Sequence, residues 1–291
     1  MSVAAHLILG SREEPFLAAM LASLENVADR LIVNDNAAGA SPHTKALEES
    51  DFGRDGRIVV DRSPFSGFAD ARNICLRLHA QHAAGEWVTF IDADEVHGPQ
   101  AARVAAHLSE LPLAVGYVDG YTWHFFQSFD WYTSIERRMM FFRFTPQARW
   151  EGSVHERLTG IDGARIALPY VYAHYGHTLE PRRHAEKGRH YSSLGAPGNV
   201  LREEELEGFD VERYFAPVYH RLMRFHGAHP PAARATVERL RLQLASFHAL
   251  TDRIARSQSA IVKARNLLRR LNYEARWRGR ALSPRGRRLL T

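Results

Sequence analysis

Two carboxylates two residues apart, Asp92 and Asp94, stand where an apolar run ends, in the stretch Trp87-Val88-Thr89-Phe90-Ile91-Asp92-Ala93-Asp94-Glu95. Paired carboxylates suit a hard divalent cation. Such a cation takes oxygen ligands and keeps positions for water or substrate phosphate, so a site with few protein ligands serves a nucleotide diphosphate. The apolar run reads as a buried strand. While the chain stays extended, both side chains point to the same side. A polar strand end or helix cap is the competing reading of the same residues. Two other polar concentrations follow: residues 148–158 combine Trp150, Gly152, His155 and Glu156, and the apolar run of residues 167–178 closes on His174 and His177.

The elements that must position these groups alternate. Residues 5–10 form a short apolar strand ending at Gly10 and Ser11, and Phe16, Leu17, Met20, Leu21 and Leu24 recur at helical spacing behind Pro15. Residues 30–36 and 57–63 make two more strands, with a short helix between them and a longer one over 68–83 before the strand at Trp87. Alternating apolar strands and helices predict a parallel, doubly wound α/β sheet with its ligands outside the carboxyl ends of the strands. Asp35, Asp61 and Asp92 all fall at such ends. After a helix near residues 99–111, strands rich in aromatics predict a mixed sheet. The aromatic stretch from Tyr121 to Tyr132 suits either core packing or stacking on a ligand.

At 291 residues and 45% hydrophobic composition, the chain can bury a full core. The net charge of +5 hides an asymmetry: residues 181–291 carry 23 Lys and Arg against 10 Asp and Glu, and the front part is at −8. Two units are expected, an acidic one at 1–180 and a basic, mainly helical one at 181–291, with breaks at residues 194–199 and 225–231. No apolar run approaches the roughly 20 residues of a membrane span, and a cytoplasmic protein is expected. The single cysteine, Cys75, lies between Ile74 and Leu76 and reads as a packed thiol.

Four pieces in order carry a resemblance to the family-2 glycosyltransferases of the GT-A fold: LIVNDN at the second strand end, FADARN on the helix before the acidic strand, GEWVTFIDADE, and WEGSVHE with the later AHYGH. The resemblance spans about residues 3–178, in keeping with one domain. It implies a GT-A-type, Rossmann-like α/β domain with a mostly parallel mixed sheet, followed by a helical appendage. The implied activity is an inverting transfer from a nucleotide diphosphate sugar, with uridine diphosphate the expected carrier and Mn²⁺ or Mg²⁺ the cofactor. Asp35 is expected at the base or ribose, Arg72 and Asn73 near the pyrophosphate, and Asp92 at the ribose or the metal's waters. Asp94 is expected on the metal together with His174, for which His155 or His177 are substitutes. Inverting transfer needs a base for the acceptor proton, and the resemblance assigns that role to Glu156. The acceptor is a small molecule, peptide or glycan. Ser11-Arg12-Glu13-Glu14 departs from the family's usual Asn-Glu, and the second strand lacks the usual Asp-Gly-Ser.

Residues 253–288 hold twelve Lys and Arg with Glu274 as their only acid. Ile261, Leu267, Leu268 and Leu271 lie at near-helical spacing among them. Such a helix can lie on an anionic membrane, grip an acidic partner, or pack on the catalytic unit with its charges solvated. Nucleic acid is disfavoured by the few aromatics there. The competing functions are a sugar nucleotidyltransferase, which needs a Gly-rich basic loop after the first strand, and a non-catalytic binding module built on the basic helices.

Overall fold

The computed structural model describes residues 2–37, 39–82, 84–153, 156–194 and 208–281. Its front half alternates as the periodicity predicts: Val3–Leu9 (β1), Leu17–Leu24 (α1), Arg30–Asp35 (β2), Thr44–Glu48 (α2), Asp51–Arg54 (α3), Ile58–Asp61 (β3), Phe68–Gln81 (α4) and Trp87–Phe90 (β4). Then come Glu95–Val96 (β5), Gln100–His107 (α5), Val115–Phe126 (β6), Trp131–Arg143 (β7), Arg149–Glu151 (β8), Arg157–Thr159 (β9) and Ala164–His177 (β10). The last part is Pro181–Ser193 (α6), Val211–Tyr219 (α7), Met223–Arg224 (β11), Arg234–Gln243 (α8), Ala245–Ser257 (α9) and Ala260–Ala281 (α10). The expected break at residues 194–199 lies, apart from Leu194, outside the described residues.

The main sheet runs β3-β2-β1-β4-β7-β6-β10-β5, with β11 added to β7. β3, β2, β1 and β4 are mutually parallel, β7 is antiparallel to β4 and β6, and β10 is parallel to β6. The sheet is therefore mixed but mostly parallel. β1 and β2 are buried almost throughout, which is why they read as continuous apolar runs. Cys75 is fully buried beside the Leu7 carbonyl, and burial pushes its thiol up to about 12, as inert packing requires.

The aromatic stretch chooses the core. Tyr121, Phe125, Phe126, Phe129, Trp131 and Tyr132 are buried, with Phe16 stacked on Tyr175 at 4.3 Å and Phe125 at 5.2 Å from Tyr175. The buried residues of the later helices join these clusters. Ala233, Val237 and Leu240 enter the main core, and Phe215 and Tyr219 pack with Phe126 and Trp131.

α10 docks by a different face from the one its leucines mark. Asn266 is buried and donates to the His220 and Leu222 carbonyls, while Tyr273 and Trp277 pack on the main core. Ile261, Leu267, Leu268 and Leu271 remain 82%, 52%, 68% and 49% exposed. The apolar spacing was legible from sequence, but two amide bonds and two aromatics decided which side faces inward. No described helix is long and apolar enough to cross a membrane.

Candidate active site

The two carboxylates are presented by a turn, and the extended geometry expected for them is not what forms. β4 ends at Phe90, the Glu95 N–H donates to the Asp92 carbonyl at 3.0 Å, and the Asp92 N–H donates back to the Glu95 carboxylate at 3.2 Å. This reciprocal pair closes the chain on itself with Glu95 as the internal acceptor, which leaves Asp92 and Asp94 outside the closure. The Asp92 side chain is 43% exposed and that of Asp94 10%. Glu95 itself is buried against Arg138 at 2.8 Å. Burial and the neighbouring Asp92 charge push its pKa above the ordinary carboxylate range, with Arg138 pulling it back.

Strand register delivers the histidines. His174 pairs with Glu95 across β5 and β10 and with His124 across β10 and β6, so the three lie in one row on one face of the sheet. His174 Nε2 stands 3.5 Å from Asp94 Oδ1, an oxygen that is buried without a hydrogen-bond donor. Gly176 leaves room for that carboxylate, since a Cβ at this position would overlap the other Asp94 oxygen and displace it. Carboxylates so placed, one orphaned and one open to solvent, are a donor set that fits a divalent cation.

Arg72 ties the acidic turn to the second polar segment. Its guanidinium lies 3.5 Å from Asp92 and 3.7 Å from Glu156, with its carbon 4.4 Å from the Phe90 ring centroid and 5.1 Å from that of Trp150. Packing on two aromatics holds the fork in place without consuming its donors. The next residue has a different job. Asn73 donates to the Trp150 carbonyl and accepts from the Trp150 N–H, both at 2.9 Å, so it clamps β8 to α4. Gly152, with φ +107°, then lets the chain turn back toward Glu156. His155 lies outside the described residues.

Sequence reasoning expected helices from residue 181 but placed none of their side chains at the turn. α6 brings Lys187 Nζ to 3.7 Å from the second Asp94 oxygen and over the Tyr191 ring at 5.7 Å. Opposite charge on Asp94 raises the Lys187 pKa, burial opposing it, so an ammonium is fixed there. The departure at residues 11–14 explains how α6 is seated: Arg12 pairs with Glu186 at 3.0 Å and Glu14 with Arg183 at 2.9 Å. Burial first, and the Asp94 charge second, push Glu14 up to about 7. The signal available in the sequence was His184, Lys187 and Tyr191 at helical spacing on a Pro-started helix.

Asp35, at the end of β2, is buried and held by Arg62 at 3.0 Å. Asp61, at the end of β3, accepts from Asn34 at 2.8 Å. Both therefore form the floor at the carboxyl ends of the parallel strands. His177 falls beside His174, with ring centroids 5.2 Å apart.

Several imidazoles away from this crevice are buried neutral, and that has a consequence for stability. Burial pushes His97 down to about 3 and His229 to about 4, and His6 well below its ordinary value. The unfolded chain protonates them near 6.5 while the folded one does not, so stability is full above pH 6.5 and declines as pH falls toward the folded values. Between pH 7.5 and 5 each fully buried ring is expected to cost up to ~2 kcal/mol. The urea midpoint of the metal-free protein should drop sharply over that interval, and a flat midpoint would refute the assignment.

Solved structures with partial likeness include GalNAc-T7 crystallised with UDP, GalNAc and Mn²⁺, at 16% identity over 42% of this chain and 24% of that one, with a TM-score of 0.31. Glucosyl-3-phosphoglycerate synthase from Mycobacterium tuberculosis, in complex with Mn²⁺, UDP and glucosyl-3-phosphoglycerate, gives 19% identity over 42% and 44% with a TM-score of 0.30. A mycobacterial protein gives 18% over 42% and 40% with a TM-score of 0.29. The chain thus spans less than half the length of each. No curated protein matches it. The sequence profile of glycosyl transferase family 2 matches residues 11–168, more than half of the chain, and the protein belongs to that family.

Proposed function

We propose that the protein is an inverting glycosyltransferase that moves a sugar from a nucleotide diphosphate sugar, with uridine diphosphate the favoured carrier, to an acceptor hydroxyl, amine or thiol. The observation that carries this reading is the single Arg72 guanidinium in contact with both Asp92 and Glu156. It sets a candidate base and a candidate cation site one side chain apart, at the open ends of the parallel strands. Asp92 and Asp94 would hold Mn²⁺ or Mg²⁺, with His174 beside them, and the ion would supply positive charge to the diphosphate.

The protein's own groups account for the rest. Glu156 takes the proton of the acceptor as the acceptor attacks the anomeric carbon. The bond from that carbon to the diphosphate oxygen breaks, and Arg72 and Lys187 meet the charge that develops on the leaving group. Asn73 holds the Trp150 backbone so that the segment bearing Glu156 keeps its place. We assign residues 1–180 as the catalytic unit and 181–291 as a helical region that covers it.

The test is a thermal-shift panel of nucleotide-sugars with and without Mn²⁺. A uridine diphosphate sugar with Mn²⁺ is expected to raise Tm by several degrees, since a ligand at 100 times its Kd stabilises by about 2.7 kcal/mol. No shift with any nucleotide-sugar, or pyrophosphate release from a nucleoside triphosphate, would overturn the reading.

α10 is the surface on which this protein would meet an anionic partner. α10 exposes Ile261, Leu267, Leu268 and Leu271 next to Arg265, and Glu274, the sole acid of its stretch, is engaged by Arg270 at 2.7 Å. Apolar side chains flanked by arginines match the interface of an anionic bilayer. A second copy of the same helix would meet it with like charge. The protein is expected to sediment with vesicles rich in anionic phospholipid, to be released by salt, and to bind at least ~10-fold more weakly as Leu268→Glu. Equal binding to neutral vesicles, or no loss in the variant, would exclude the bilayer as partner.

A further inference from the structure

A second group of potential ligands adjoins the acidic turn and is built from nitrogen. His124 on β6 and His174 and His177 on β10 each offer one ring nitrogen within 4.8 Å of the others. Register places His174 directly beside His124, with ring centroids 4.9 Å apart. His177 is three residues beyond His174 and in a regular strand would face the opposite side. The register irregularity between the two brings its ring back to the same side.

The spacing of the ring nitrogens is what points to an ion. Glu136 Oε2 lies 3.5 Å from His124 Nε2, and Asp94 Oδ1 lies 3.5 Å from His174 Nε2. A carboxylate favours an N–H on the ring nitrogen facing it. The inner Nδ1 atoms of His124 and His174 lie 3.2 Å apart, in a contact whose donor depends on the tautomer, and a cation taking the place of that proton would bind both. Nitrogens bound to one ion at about 2.0–2.1 Å are roughly 3.0–3.4 Å apart, which spans the observed separation. His177 Nδ1 is buried without a partner, and so is Nδ1 of His184, whose ring is 4.9 Å from that of His177.

We propose that His124, His174 and His177 hold a first-row transition ion of the zinc or cobalt kind at a nitrogen site adjoining the acidic turn, with Glu136 and Asp94 orienting two of the rings. Imidazole donors select such ions over Mg²⁺, which prefers oxygen. His174, expected as a ligand of the carboxylate-bound cation, is then turned toward His124, and the acidic turn is left to oxygen donors alone. The proposal does not depend on glycosyl transfer.

The test uses the full chain stripped of metal, titrated with Co²⁺ in millimolar Mg²⁺ without nucleotide, and read by equilibrium dialysis and visible absorption. One Co²⁺ per chain is expected, with the intense visible bands of nitrogen ligation at low coordination number, displaced by Zn²⁺. His124→Gln and His177→Gln should each weaken binding by more than ~100-fold and Glu136→Gln by roughly 10- to 100-fold, whereas Asp92→Asn should leave it unchanged. Glu136 is on the surface, so its variant keeps the test valid if a histidine variant does not fold. No Co²⁺ retained against Mg²⁺, affinity unaltered in a folded His124→Gln and in Glu136→Gln, or loss in Asp92→Asn would overturn the site. Donor binding, measured separately by thermal shift, tells its failure from that of the transferase reading.

Discussion

Asp94→Ala is expected to lower sugar transfer by at least ~10³-fold while leaving the fold intact. Its Oδ1 is buried without a donor and its other oxygen faces Lys187 at 3.7 Å. Removing this carboxylate takes away a cation ligand and the counter-charge of the ammonium together. Stabilising charge on a departing diphosphate is worth several kcal/mol, and each 1.36 kcal/mol is about tenfold in rate. The measurement is initial-rate transfer with Mn²⁺ varied. Turnover within about tenfold of the parent at saturating Mn²⁺ would remove Asp94 from the mechanism.

Glu156→Gln is expected to cut kcat by roughly 10²- to 10⁴-fold, the range for removing a general base, with donor binding preserved. The amide keeps the size of the side chain and cannot accept the acceptor's proton. Arg72 keeps its contact with Asp92 and its packing on Phe90 and Trp150, so the diphosphate site should be unaltered. The discriminating readout is the split between the two measurements: the nucleotide-sugar thermal shift stays and turnover falls. Loss of both together would make Glu156 a positioning residue that acts through Arg72. An unchanged kcat would move the base elsewhere.

How much of this was legible without coordinates can be judged residue by residue. β1, β2, β3, α4 and β4 were readable because buried strands and amphipathic helices write their period into adjacent residues. The segments carrying Asp92, Asp94, Arg72 and Glu156 were likewise located by short patterns. Asn73 was placed by its neighbour Arg72, yet side chains one residue apart on a helix diverge by about 100°, and it reaches the Trp150 backbone. The leucines of α10 showed an apolar stripe whose orientation was undetermined, because Asn266 forms its bonds with residues more than forty positions away.

The sequence by itself determined the fold class, the order of its elements, and the position of the acidic turn at the end of a parallel strand. Those depend on local periodicity and on where apolar runs stop. Only the tertiary structure decided that Lys187 covers Asp94, that Glu14 and Arg12 seat α6, and that His124 stands beside His174. These juxtapositions come from strand register and helix docking across 50 or more residues, as in the contacts of Glu14 with Arg183 and His124 with His174. No short-range pattern encodes them, since the free energy that selects one pairing belongs to the packed whole.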